Sequence, residues 1–280
     1  MASVVFKFGG AKIDKVAETC QKLRSLHKNI YFASNNNIVG FANLHRRLNT
    51  IVPHLPEENL MIPTKAIIDH LKRINFNKKI LISGSRQMKE DFIKAGFNIT
   101  NTENVVPITN IGQFAKEISN DITDVGGVIL DYDFNMNILQ INQILNCLKL
   151  KDTIFITGSY DTKIVMPDNV HILGNYFIRV AAIASMYNNK STSFGKPGVE
   201  FKNYVMKKLN CTDPSRTLFV GDMLDVDIKF GKKCGFKTLL VLTGVSQLKN
   251  LKNCPKEYEP DFYLESFGDL FDILEDKLKL

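Results

Sequence analysis

Three aspartates, Asp222, Asp225 and Asp227, crowd into GDMLDVDI directly after an apolar run that ends at Val220. Carboxylates just beyond the carboxyl end of a strand sit where open α/β sheets bind ligands. At the same place they would cap the helix that follows, where negative charge is favoured. Lys7 stands in VVFKFGGAK and Lys196 in GKP. Unpaired buried charge is costly, so carboxylates and ammonium groups gathered in one cleft must pair or bind a ligand. A second Asp-x-Asp occurs in LDYDFN, Leu130 to Asn135, without a following glycine. The Gly9-Gly10 turn after VVFKF suits the cradling of a phosphate by backbone amides.

The elements that must position these groups alternate along the chain. Strand patterns VVFKF, IYFAS, KILISGS, GGVILDYDF and TIFITGS alternate with helical patterns over 15–26, 64–74, 87–95 and 139–148. Gly96 and Gly235 supply helix stops, the second before a strand at 238–242. Such alternation reads as a parallel α/β protein. The second series of units begins at Lys78, which places an inserted α/β cap at 78–181 and a Rossmann-like parallel-sheet core in 1–77 and 182–280.

Composition sets the boundaries. The chain has 280 residues, 44% of them hydrophobic, enough for a substantial core. Its net charge of +7 comes from lysines dispersed along helices, such as Lys72, Lys78, Lys79, Lys89 and Lys94, rather than from one basic block. Solvated helix faces account for that spacing, and no nucleic-acid footprint is expected. No apolar run approaches the length of about 18 residues that a membrane span needs, and no signal-peptide pattern opens the chain, so a cytoplasmic protein without a membrane partner is expected. Cys20, Cys147, Cys211, Cys234 and Cys254 are scattered, which supports neither a disulfide framework nor a zinc site.

Taken together, GKP at 195–197 and GDMLDVDI at 221–228 resemble the closing motifs of the haloacid dehalogenase-like phosphatases, in the p-nitrophenyl phosphatase, phosphoglycolate phosphatase and pyridoxal phosphatase group. FASNNN resembles that group's second motif, a strand followed by Thr or Ser and two asparagines. FITGSYD resembles its cap segment Phe-Ile-x-Thr-Asn-x-Asp, with Gly158 departing from the pattern and Asp161 at the acidic end. Asp133 fits an acidic position of the preceding cap strand. The resemblance implies phosphate-binding roles for Ser34, Asn35 and Lys196, a metal-binding place for Asp222, and a place behind the metal for Asp227. It also implies Mg2+ as cofactor, a phosphorylated small molecule as ligand and pairing of two copies through the cap. The apolar strands GGVIL and TIFIT would form that homodimer surface or else fill the cap's own sheet.

One motif departs decisively. The group opens with a strand ending in Asp-x-Asp-Gly, whose first Asp attacks phosphorus and whose second moves the proton. Here Lys7 holds the nucleophile position and Gly9 the acid/base position, with Gly10 matching and Ala11 replacing Val or Thr. An ammonium neither forms an acyl-phosphate nor ligates Mg2+, and glycine moves no proton. Lys7, Lys196, Asp222 and Asp227 sum to zero charge without a metal. The expectation is therefore a family member without catalysis and without a bound cofactor, in which Lys7 stands in for the metal and pairs with Asp222 or Asp227. A weak Mg2+-dependent phosphatase using another carboxylate, such as Asp14, is the alternative. VVFKFGG is also similar to the phosphate-binding start of amino-acid kinases, a more remote reading that covers about ten residues.

Overall fold

The computed structural model describes residues 13–100, 107–150, 152–158, 163–165, 171–173, 190–252 and 254–276. Lys7, Gly9, Gly10, Ala11 and Asp161 lie outside the described residues, and with them the expected pairing of Lys7. Two parallel sheets organise the site. In the first, β9 (Leu218–Gly221), β10 (Lys237–Val241) and β11 (Phe262–Leu264) pair in parallel with β10 in the centre. The return between β9 and β10 is short. A single π-type turn over Leu224–Ile228 runs into the helix Lys229–Cys234, which Gly235 closes at φ 77°. That left-handed conformation is the one glycine adopts without cost.

In the second sheet β3 (Lys79–Ser83), β4 (Val125–Leu130), β5 (Ile154–Thr157) and β8 (Thr192–Ser193) run parallel in that order. Every residue of β4 is buried, which is why it reads as a continuous apolar run rather than an alternating one. A short parallel pair joins β1 (Phe32–Ala33) to β2 (Leu60–Met61), and β6 (Lys163–Val165) pairs antiparallel with β7 (His171–Leu173). The sheet begun at Lys79 takes its last strand from residues 192–193, past position 181. Because β4 and β5 are interior strands of this sheet, their apolar side chains are spent within the chain.

The expected helices form close to their predicted bounds: α1 Val16–Ser25, α3 Pro63–Arg73, α4 Arg86–Lys94 and α6 Ile138–Leu148, with α2 at Phe41–Asn49 and α7 at Val199–Leu209. One helix the sequence reading passed over, α5 at Ile111–Ser119, buries none of its residues and is held by Asn110, whose side chain accepts a hydrogen bond from Gln113 N. One hydrophobic cluster runs from Ile67 and Leu71 of α3 and Phe201 and Val205 of α7 to Ile82, Ile129 and Ile156 of one sheet and Phe219 of the other. The strands β1, β4, β5, β8 and β9 thereby deliver Ser34, Asp131, Gly158, Lys196 and Asp222 just past their carboxyl ends.

Candidate functional site

Lys196 organises the cluster. Its side chain is 2% exposed, as is that of Asp227, and Nζ donates to Asp227 Oδ1 at 2.6 Å and to the carbonyl of Ala33 at 2.9 Å. Ala33 is the residue before Ser34, so the ammonium lies at the end of β1 where the second motif begins. Asn35 draws the same segment in from the other side: Lys196 N donates to Asn35 Oδ1 at 2.8 Å, and Asn35 Nδ2 donates to the Lys196 carbonyl at 3.1 Å. The side-chain amide expected on phosphate is thus engaged with the lysine's own backbone. Ser34 is half-buried, and its Oγ accepts from Asn36 N at 3.1 Å, which leaves the hydroxyl proton to donate.

Asp227 is engaged through both oxygens. Beyond Lys196, its Oδ2 accepts from Asp222 N and Met223 N, both at 3.2 Å. Gly221 permits this approach, since a Cβ there would lie 2.2 Å from Asp227 Cβ. Asp222 takes one side-chain bond, from Val245 N to Oδ2 at 2.8 Å, while Ser246 N donates to its carbonyl at 2.9 Å. Burial, and then the negative charge of Asp227, push the Asp222 carboxyl up to about 6. The third aspartate of the loop, Asp225, is exposed and outside this network, as is Asp14 at the turn before α1.

Mg2+ takes six oxygens in near-octahedral geometry, usually through one or two carboxylates. Of the pair here, Asp227 is consumed by Lys196 and two backbone amides, and no group of three or more His, Cys, Asp or Glu able to hold a metal occurs among the described residues. Asp222 is the carboxylate of this pair left open to a cation, and the segment holding Lys7 and Gly9 lies outside the described residues.

Two residues of the neighbourhood were not foreseen as site residues. Asn37 and Asp131 meet at 2.5 Å, both buried, and Asp133 accepts from Ser83 Oγ at 3.1 Å. The signal for Asp131 was present in LDYDFN, an Asp ending a fully apolar strand; nothing local named its partner.

Two family models match the chain: haloacid dehalogenase-like hydrolase over residues 3–98 and HAD-hydrolase-like over residues 193–270. The chain belongs to the haloacid dehalogenase-like phosphatase superfamily. The first model spans the second motif, and the second spans the Lys196 segment and the Asp222 loop. Phosphoglycolate phosphatase 2 of Arabidopsis thaliana is 29% identical over 286 residues, 97% of this chain and 90% of that protein. Glycerol-3-phosphate phosphatase of Rattus norvegicus is 25% identical over 292 residues, 95% and 87% of the two chains. The p-nitrophenyl phosphatase from Archaeoglobus fulgidus superposes with a TM-score of 0.78 at 22% identity over 98% of this chain and 97% of that one, which establishes the shared fold of Rossmann-like core and cap. Among the described residues no helix is long and apolar enough to cross a membrane.

Proposed function

We propose that this protein binds a small phosphate monoester in the manner of the phosphoglycolate and p-nitrophenyl phosphatases but does not hydrolyse it, with residues 78–181 as its cap. The observation that carries the reading is the clamp on Lys196: a buried ammonium held beside Ser34 by the Ala33 carbonyl and Asp227, with Asn35 fixing the lysine's backbone. In it the Ser34 hydroxyl and the third Lys196 proton are the donors to phosphate oxygens. Hydrolysis would need a carboxylate to accept the phosphoryl group and an acid to protonate the departing oxygen. Lys7 and Gly9 supply neither. With Asp227 paired to Lys196, Asp222 is the carboxylate of the loop without a cationic partner among the described residues.

A second reading, a weak Mg2+-dependent phosphatase of the phosphoglycolate or p-nitrophenyl phosphate type, is favoured by the near full-length similarity to proteins called phosphatases. One set of assays separates the two. Wild type should bind inorganic phosphate and show no Mg2+-dependent turnover of 2-phosphoglycolate or p-nitrophenyl phosphate above a Ser34→Ala control. The double variant Lys7→Asp/Gly9→Asp should gain both Mg2+ binding and turnover. Wild-type turnover that vanishes in Ser34→Ala would put the phosphatase reading in place of the first.

A further inference from the structure

Three consecutive asparagines follow Ser34, and each is used differently. Asn35 clamps Lys196, and Asn36 Oδ1 accepts from the amides of Ile38 and Val39 at 3.0 and 3.3 Å. Asn37, 1% exposed, is a four-way joint. Its Oδ1 accepts from Thr64 N at 3.2 Å and from Thr64 Oγ1 at 2.9 Å, its carbonyl accepts from Ser85 Oγ at 2.7 Å, and its Nδ2 donates to Asp131 Oδ2 at 2.5 Å. Asp131, wholly buried, also accepts from Tyr132 N at 2.6 Å, while its own N–H donates to Ser83 O at 2.8 Å. Gly158 closes over the carboxylate: a Cβ at that position would lie 1.7 Å from Asp131 Oδ2. The pattern residue Asn would not fit there in this arrangement.

The loop that begins at Ser34 is therefore pinned twice, through Asn35 to the Lys196 segment and through Asn37 to Ser85 and Asp131 past the carboxyl ends of β3 and β4, with Gly158 at the end of β5 lying against Asp131. The first pin sets the phosphate donors, and the second sets how far the β3 and β4 edge stands from them. We infer that Asn37 and Asp131 are positioning residues that fix this separation and so decide which organic group, once esterified to phosphate, the protein accepts. The inference rests on the phosphate-monoester reading. A buried carboxylate needs its donors, and a charge-assisted bond of this length is a strong and directional one. Its polarity is reversible on paper: Asp at 37 keeps both acceptor bonds from Thr64 and opposes Asp131 with like charge, while Asn at 131 then restores a donor facing an acceptor.

The test is isothermal titration of wild type, Asn37→Asp and Asn37→Asp/Asp131→Asn with inorganic phosphate, 2-phosphoglycolate and p-nitrophenyl phosphate. Asn37→Asp should weaken or reorder the two monoesters by about tenfold while inorganic phosphate stays within about twofold, and the double variant should return both. Equal loss for phosphate and monoesters, or no recovery in the double variant, would overturn the assignment. If Asn37→Asp does not fold, Asp131→Asn alone should show the same selective loss in smaller degree, and a uniform loss there counts equally against it. A wild type that binds no phosphate would remove the phosphate reading itself. The joint then stands or falls on urea midpoints, which Asn37→Asp must lower and the double variant must restore.

Discussion

Lys196 and Asp227 carry opposite charges at 2% side-chain exposure, so neither has water to fall back on. Removing one partner of such a pair costs about 3–5 kcal/mol, because the other is left charged and buried. Lys196→Met should therefore lower the urea midpoint by that equivalent, and Lys196→Met/Asp227→Leu should recover much of it. An additive double loss would show that the pair is not coupled. Asp222 makes a prediction in pH. Its carboxyl is raised from an ordinary 3.8 to about 6, so between those values the native state holds a proton that the unfolded chain has released. Native binding of more protons means that stability falls as pH rises through this window and is lowest above it. Asp222→Asn should flatten that part of the stability curve relative to wild type, and an unchanged slope would show that Asp222 does not titrate there.

At the scale of elements, the site is made by strand ends and by the turns that leave them. The exit from β9 shows how little room there is. Gly221 has ordinary backbone angles, yet a Cβ on it would meet Asp227 Cβ at 2.2 Å, because the π-type turn folds Asp227 back against the strand it follows. Gly221→Ala must push the turn outward and stretch the two amide bonds that hold Asp227 Oδ2. Overpacking of this kind costs about 1–3 kcal/mol, so a lower melting temperature and weakened phosphate binding should appear together. Wild-type phosphate affinity in a folded Gly221→Ala variant would separate the turn from the site. The helix ends away from the site obey local rules instead: Asn137 caps α6 in a reciprocal capping box with Gln140.

At the scale of the molecule, one core joins both sheets. Ile67 of α3 is fully buried in a cluster that includes Ile82, Ile129 and Ile156 from the β3–β4–β5–β8 sheet and Phe219 and Phe236 from the β9–β10–β11 side. Neither sheet can lose its packing without exposing the other, so unfolding should be one cooperative transition, coincident by far-UV and near-UV circular dichroism. Ile67→Ala should shift that whole transition by about 2–5 kcal/mol. Two resolved transitions would mean that the sheets fold independently. The buried thiols belong to the same interior: Cys20, Cys147 and Cys234 are pushed up to about 12 by burial, which makes them inert packing groups.

Much of this was legible in the chain itself. Apolar runs such as KILIS and TIFIT, helix periods and the glycine stops at 96 and 235 are local signals, and they placed β3, β5, α4 and the β9-to-β10 return within a residue or two. The resemblance named Ser34, Lys196, Asp222 and Asp227 as candidate site residues, at strand ends of the kind that collect ligand groups wherever parallel strands share a sheet. What only the tertiary structure decided is who pairs with whom. Asn35 spends its amide on a lysine 161 positions away, Lys196 takes Asp227 and Ala33, and Asp131 finds Asn37 across 94 positions. Hydrogen bonds and ion pairs of that kind depend on distance and direction in space, and neither side-chain period nor local propensity encodes them.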